Sequence, residues 1–88
     1  MCLTRTVKIG HEHGLHARPA AEVVKLVMPH QGDVLMLVGE KSINLKSIVS
    51  VMAAGITTGQ IVTLRATGAG ADDLLERLAD YLERGGDQ

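Results

Sequence analysis

The side chains of this sequence best suited to chemistry lie in one run, His13-Gly14-Leu15-His16-Ala17-Arg18-Pro19. Pro19 suits the first turn of a helix, because its fixed φ is helical and its missing N–H is not needed there. A helix start leaves backbone N–H groups without partners and carries the positive end of the helix dipole, so it attracts phosphate. Arg18 adds a permanent charge and a fork of donors. The spacing therefore makes the nucleophilic ring of His16 a candidate acceptor of a phosphoryl group.

The other histidines allow a second interpretation. His11, Glu12 and His13 lie close to His16 in the sequence and offer imidazole and carboxylate ligands for a metal ion. We favour the simpler interpretation, in which His11 and His13 are solvated loop residues and no metal is bound. We also consider the hypothesis that His13 changes the local charge near His16 below neutral pH. His30, at the end of the same predicted helix, is expected to be an ordinary surface residue.

Length and composition narrow the class of protein. Eighty-eight residues make one domain, 1–88, which is too small for a cleft between lobes, so any site should be shallow. The apolar share is 45% but the aromatic share is only 1%, so Val, Ile, Leu, Met and Ala must build the core. A net charge of -1 without a cluster of Lys or Arg argues against nucleic acid as a partner.

Further classes are disfavoured by single features of the sequence. The one cysteine, Cys2, allows neither an internal disulfide nor a thiolate metal site, and a reducing cytoplasm is the expected location. No apolar run is long enough for a membrane span, and the first residues alternate instead of forming an apolar leader. We therefore expect a soluble cytoplasmic monomer without a cofactor.

Hydrophobic periodicity predicts seven elements in the order βαββαβα. The predicted strands lie around Val7 and Ile9 and over residues 34–38, 42–45 and 61–67, with Gly39-Glu40-Lys41 as the turn between the second and third. The first predicted helix starts at Ala17 and is ended by Pro29 and Gly32. The second is short, has Ser47 as its N-cap and stops at Gly55. The third carries a stripe of leucines at 74, 75, 78 and 82 and is stopped by Gly85-Gly86. This order predicts an α+β open-faced sandwich, a four-stranded antiparallel sheet with all three helices on one face.

Two motifs and this order of elements resemble a known family. Gly14-Leu15-His16-Ala17-Arg18-Pro19-Ala20 and Asn44-Leu45-Lys46-Ser47-Ile48, followed by Val51-Met52, are similar to the motifs of HPr. The members of this family are the histidine-containing phosphocarriers of the bacterial phosphoenolpyruvate-dependent sugar phosphotransferase system. The resemblance implies that the Nδ1 atom of His16 accepts a phosphoryl group from phospho-enzyme I and passes it to enzyme IIA domains.

Several further roles follow from the resemblance. It implies that Ser47 is the target of an ATP-dependent HPr kinase, and that Ile48, Val49 and Met52 form a docking surface beside the active histidine. Arg18 and the backbone amides of Ala17 and Arg18 are expected to bind the phosphoryl group, and Val51 is expected to point into the core. His13 departs from the Asn, Ser or other small polar residue that many family members carry. The expected protein is a carrier and not an enzyme.

Three alternatives stay open from the sequence. In the first, the chain is a family member that serves a nitrogen-related or other regulatory branch. In the second, it is a metal-binding or protein-binding module. In the third, it is a scaffold without chemistry. A scaffold predicts a buried or blocked His16. A binding module predicts no mass gain after incubation with phosphoenolpyruvate and enzyme I.

Overall fold

A computed structural model describes residues 2–84 of the chain, so the predicted helix stop at Gly85-Gly86 and the predicted frayed tail lie outside the described residues. The seven elements follow in the order βαββαβα, as predicted. They are β1 (Cys2–Lys8), α1 (Ala17–Val27), β2 (Val34–Val38), β3 (Lys41–Asn44), α2 (Ile48–Ala53), β4 (Ile61–Thr67) and α3 (Ala71–Arg84). Within this part of the chain, no helix has the length and apolar character needed to cross a bilayer.

The four strands form one antiparallel sheet in the order β1-β4-β2-β3. The first strand therefore pairs with the last one, in a register that runs from Cys2 opposite Thr67 to Lys8 opposite Ile61. This register brings the end of β1 beside the start of β4. The loop that leaves β1 and carries His16 consequently begins next to the segment that enters β4.

Buried and more exposed side chains alternate along the strands, so the sheet has one buried face and one face open to solvent, as β4 shows. Val62, Leu64 and Ala66 are buried, whereas the intervening Thr63, Arg65 and Thr67 lie on the other face. The helices pack their apolar stripes against the buried face only, which confirms the predicted open-faced sandwich. The core is aliphatic, as expected; its largest fully buried side chains are Ile9, Met36, Leu45, Leu64, Leu78, Leu82, Val23, Val27, Val34, Val51 and Val62.

The predicted boundaries at the β2–β3 hairpin and at β1 need small corrections. Lys41 does not belong to the turn, because it pairs with Val38 as the first residue of β3. The turn is therefore limited to two residues, and its Gly39 has a φ of 59°, which glycine adopts without strain. Ile9 lies just beyond the end of β1, although its side chain is buried.

Candidate functional site

The loop between β1 and α1 is held on two sides by backbone hydrogen bonds. The N–H of Ile9 donates to the carbonyl of Gln60 at 2.9 Å, and the N–H of Gly10 donates to the carbonyl of Leu82 at 2.8 Å. Gly10 is also packed so closely on α3 that a Cβ atom there would lie 2.1 Å from the carbonyl oxygen of Glu83. The loop is thus fixed between the end of α3 and the segment before β4.

A second anchor lies directly before His16. The N–H of Leu15 donates to the carbonyl of Ile56 at 3.0 Å, and the Leu15 side chain is buried. Gly14 has a φ of 69°, and a Cβ atom there would lie 2.1 Å from the oxygen of Ile56 and 2.8 Å from the Cα of Thr57. Only glycine allows the backbone to approach the α2–β4 loop so closely. With Leu15 fixed in the core, the next residue is presented at the surface.

His16 is the N-cap residue of α1 and has an exposed side chain, with φ of −80° and ψ of −166°. Its carbonyl accepts the first helical hydrogen bond, from the N–H of Ala20 at 2.9 Å, while its ring makes no capping hydrogen bond. Among the described residues, the N–H groups of Ala17 and Arg18 have no partner, and Pro19 has no N–H. Two backbone donors therefore stay free at the start of the helix, beside the His16 ring.

The charges around this helix start favour an anion. The first turn of α1 contains no acidic residue, and Arg18 in that turn is exposed. The positive end of the helix dipole and the Arg18 guanidinium thus act together, without a carboxylate of the same turn to neutralise them. The ring of His13 is also exposed, and its centroid lies 6.0 Å from that of His16 at an interplanar angle of 66°.

His11 is not solvated, so this prediction was wrong. Its side chain is only 3% exposed, its ring centroid lies 4.7 Å from that of Tyr81, and its Nε2 lies 3.0 Å from the carbonyl oxygen of Tyr81. Because a carbonyl only accepts, Nε2 carries the proton and donates. His11 thereby fixes the loop to the last turns of α3, which explains why it is buried.

His30 also has a structural contact that the sequence did not indicate. Its Nε2 donates to the carbonyl of Thr67 at 2.7 Å, and its own carbonyl accepts a hydrogen bond from Nζ of Lys46. His30 is therefore a partly buried link between the end of α1 and the end of β4, and not an ordinary surface residue. Thr58 was missed as well; its hydroxyl hydrogen-bonds to the carbonyl groups of His11 and of Glu12, the latter at 2.8 Å.

Ser47 caps α2 as predicted, because its Oγ accepts a hydrogen bond from the N–H of Ser50 at 3.2 Å. The apolar residues that follow divide as expected. Val49, Met52 and Ile48 are 73%, 47% and 38% exposed and form what we call the α2 patch, whereas Val51 is buried. Since α2 packs on α1 and leads into the loop that contacts Gly14, the α2 patch and His16 lie on neighbouring elements.

A metal centre finds no support in the geometry. Between residues 2 and 84, no three His, Cys, Asp or Glu side chains are grouped closely enough to hold a metal ion. The burial of His11 separates it from the exposed rings of His13 and His16. The three histidines of this loop thus have different environments instead of sharing one ligand site.

The fold and the site define a class: a small α+β sandwich with an exposed histidine at the start of a helix whose first two N–H groups are free. The family model described as "PTS HPr component phosphorylation site" matches residues 3–84. The chain therefore belongs to the HPr family, the phosphocarriers of the phosphotransferase system. Members are carriers and not enzymes, as expected from the sequence.

Individual relatives agree with this assignment. The chain is 36% identical over 73 residues to the phosphocarrier protein HPr of Buchnera aphidicola subsp. Acyrthosiphon pisum, covering 83% of this chain and 86% of that protein. It is 40% identical over 65 residues to the phosphocarrier protein HPr of Mycoplasma capricolum, covering 74% of this chain and 73% of that protein. The crystal structure of HPr-C-His from Thermoanaerobacter tengcongensis superposes with a TM-score of 0.90 at 31% identity, covering 98% of both chains.

The approach of Gly14 to Ile56 gives a first prediction. Gly14→Ala should displace the loop before His16, since its Cβ meets backbone atoms that cannot move aside independently. Gly39→Ala is the matched control, because Gly39 also has a positive φ but nothing lies within 4 Å of the added Cβ. We expect Gly39→Ala to cost about 1–2 kcal/mol of unfolding free energy and Gly14→Ala to cost clearly more. Urea denaturation measures both, and equal losses would contradict the proposed role of this contact.

Proposed function

We propose that this protein relays a phosphoryl group from phospho-enzyme I to enzyme IIA domains, with Nδ1 of His16 as the carrying atom. One observation supports this assignment most directly: an exposed imidazole without a hydrogen-bond partner stands at a helix start whose first two N–H groups are free. A scaffold domain predicts a buried or blocked ring at this position, and the ring is exposed. The protein acts in the cytoplasm and as a monomer in this proposal.

The chemistry needs no separate base. The neutral form of an imidazole offers a nitrogen lone pair, and histidine is the side chain that gains and loses its charge within the physiological range of pH. That lone pair attacks phosphorus in line, a nitrogen–phosphorus bond forms, and the bond between phosphorus and the donor breaks with its electron pair leaving on the donor. In the second transfer the His16 nitrogen is the leaving group. An exposed ring permits this in-line approach from both partners.

The phosphoryl oxygens have a defined set of donors in this proposal. The free N–H groups of Ala17 and Arg18 and the guanidinium of Arg18 stabilise the negative charge while it resides on His16. All of them lie at the surface, where water weakens each interaction. Moderate stabilisation suits a carrier, because a phosphoryl group held too tightly would not be passed on.

Docking and regulation are assigned to α2. The α2 patch gives partners an apolar surface beside His16, and its Met52 adapts to partners of different shape. We propose that an HPr kinase phosphorylates Ser47, which adds roughly −1.5 to −2 charges at the edge of this patch. A docking partner must desolvate that charge, so phosphorylation opposes binding without unfolding the helix.

Mass spectrometry tests the assignment of His16. After incubation with phosphoenolpyruvate and enzyme I, we expect the mass gain of one phosphoryl group on the wild-type protein and none on His16→Gln. His30→Asn is the control, since it removes an imidazole that links α1 to β4 and should retain the mass gain. An unmodified wild-type protein, or a mass gain that persists in His16→Gln, would contradict the proposed relay.

Arg18→Gln tests the phosphoryl ligands. Removing a charge-assisted hydrogen bond should slow phosphorylation of His16 by enzyme I about tenfold, with little change in melting temperature because the side chain is exposed. Arg77→Gln, which removes an exposed arginine paired with Asp73 on α3, should leave the rate unchanged. The rate of His16 phosphorylation by enzyme I is measured for wild type and both variants. Equal rates for Arg18→Gln and wild type would exclude Arg18 as a ligand.

Ser47→Asp tests regulation through docking. Aspartate is itself a good N-cap, so α2 should stay folded and the melting temperature should stay close to that of wild type. The added charge beside the α2 patch should nevertheless slow transfer from enzyme I by about tenfold or more. Ser42→Asp adds the same charge on exposed β3 and serves as the control. Unchanged transfer kinetics for Ser47→Asp would argue against the regulatory role.

A further inference from the structure

The contact between the His13 and His16 rings is not used by the relay described above. Both rings are exposed, their centroids are 6.0 Å apart, and the angle of 66° places them edge to face. No hydrogen bond joins them among the described residues. The nitrogens of His13 therefore remain available to a group that arrives on the neighbouring ring.

We propose that His13 is a third phosphoryl-binding side chain, which donates a ring N–H to a phosphoryl oxygen on His16 and does so most strongly when it is protonated. This inference rests on the proposed phosphorylation of His16. No covalent bond changes in this step: the nitrogen–phosphorus bond stays on His16, and His13 contributes only a hydrogen bond and a charge. The phosphorylated carrier thereby becomes longer lived in mild acid than it would be without His13.

The backbone on both sides of His13 is fixed, which supports the proposed contact. The carbonyl of Glu12 accepts a hydrogen bond from Thr58 at 2.8 Å, and the N–H of Gly14 donates to the carbonyl of His11 at 3.0 Å. His13 therefore sits in the middle of a tight turn instead of on a free loop. Its ring is kept near His16 without a large loss of conformational entropy when the phosphoryl group arrives.

The charged groups around His13 decide how its protonation acts. Its own loop holds the exposed Glu12 and the buried His11, and the first turn of α1 holds Arg18. The α2–β4 loop, residues 54–60, contains no ionisable side chain. At the end of α3 stand Asp80, Glu83 and Arg84, of which Asp80 and Arg84 form an ion pair. A protonated His13 consequently adds a positive charge to a site whose cationic side chain is otherwise Arg18.

The direction of the effect follows from the chemistry of phosphohistidine. An imidazole gains a proton, and with it a positive charge, as the pH falls from mild base to mild acid. A cation beside His16 opposes protonation of the phosphorylated ring, which is the step that turns it into a good leaving group in acid. The same cation binds the phosphoryl oxygens. Both effects slow hydrolysis at pH 6 and fade at pH 8.

Chemical phosphorylation tests the contact without any partner protein. Phosphoramidate phosphorylates exposed imidazoles directly. Peptide fragmentation by mass spectrometry distinguishes the product on His16 from any product on His13, and ³¹P NMR follows the decay of phospho-His16. At pH 6 we expect phospho-His16 to hydrolyse about two- to fivefold faster in His13→Asn than in wild type, because this factor corresponds to the interaction energy of an exposed charge pair. At pH 8 we expect equal hydrolysis rates. His30→Asn, which removes an imidazole elsewhere, should match wild type at both pH values.

A second measurement reports the contact itself. The carbon-bound ring protons of His13 should shift in the ¹H NMR spectrum when His16 is phosphorylated at pH 6, and this shift does not depend on hydrolysis rates. Equal half-lives of wild type and His13→Asn at pH 6, together with unmoved His13 resonances, would overturn the inference. A failure of phosphoramidate to label His16 at all would overturn it as well. Enzyme I could fail to phosphorylate the protein while His13→Asn still speeds the hydrolysis of chemically phosphorylated His16. That result would contradict the proposed relay and support the contact of His13 with the phosphoryl group.

Discussion

The site depends on one close backbone contact, in which Gly14 lies against the carbonyl of Ile56 with no room for a side chain between them. This contact, with the hydrogen bond from Leu15 to the same carbonyl, fixes the chain immediately before α1. His16 comes directly after this fixed segment and is exposed at the start of α1. Ile56 lies just after α2, so the same contact also joins the segment before His16 to the segment that follows the α2 patch.

The fold was predicted well where the determining interactions are local. The stripe of leucines in α3, the hydroxyl of Ser47 before α2 and the alternation of β4 are each set by neighbours in sequence, and the structure confirms all three. The order of strands was not predicted. A period of two tells which face of a strand is buried but not which strand lies beside it, so the pairing of β1 with β4 appears only in three dimensions.

The histidines show the same limit within the site. His16 was recognised because Pro19 and the apolar run of α1 define a helix start locally. The environments of His11 and His30 depend on carbonyl partners 70 and 37 residues away, and no local pattern signals such a contact. Identical side chains thus acquire different roles from packing alone. Within the described residues, the rings of His13 and His16 have no hydrogen-bond partner and stay exposed, whereas those of His11 and His30 are bound to carbonyl groups.

The pairing of the first strand with the last has a consequence for the protein during its synthesis. His16 leaves the ribosome before its supports, Ile56 and the β4 strand next to β1, which follow it in the chain. Until those residues emerge, a nascent chain has an imidazole without the scaffold that presents it. The arrangement that presents the imidazole therefore forms only after the chain as far as β4 has been made.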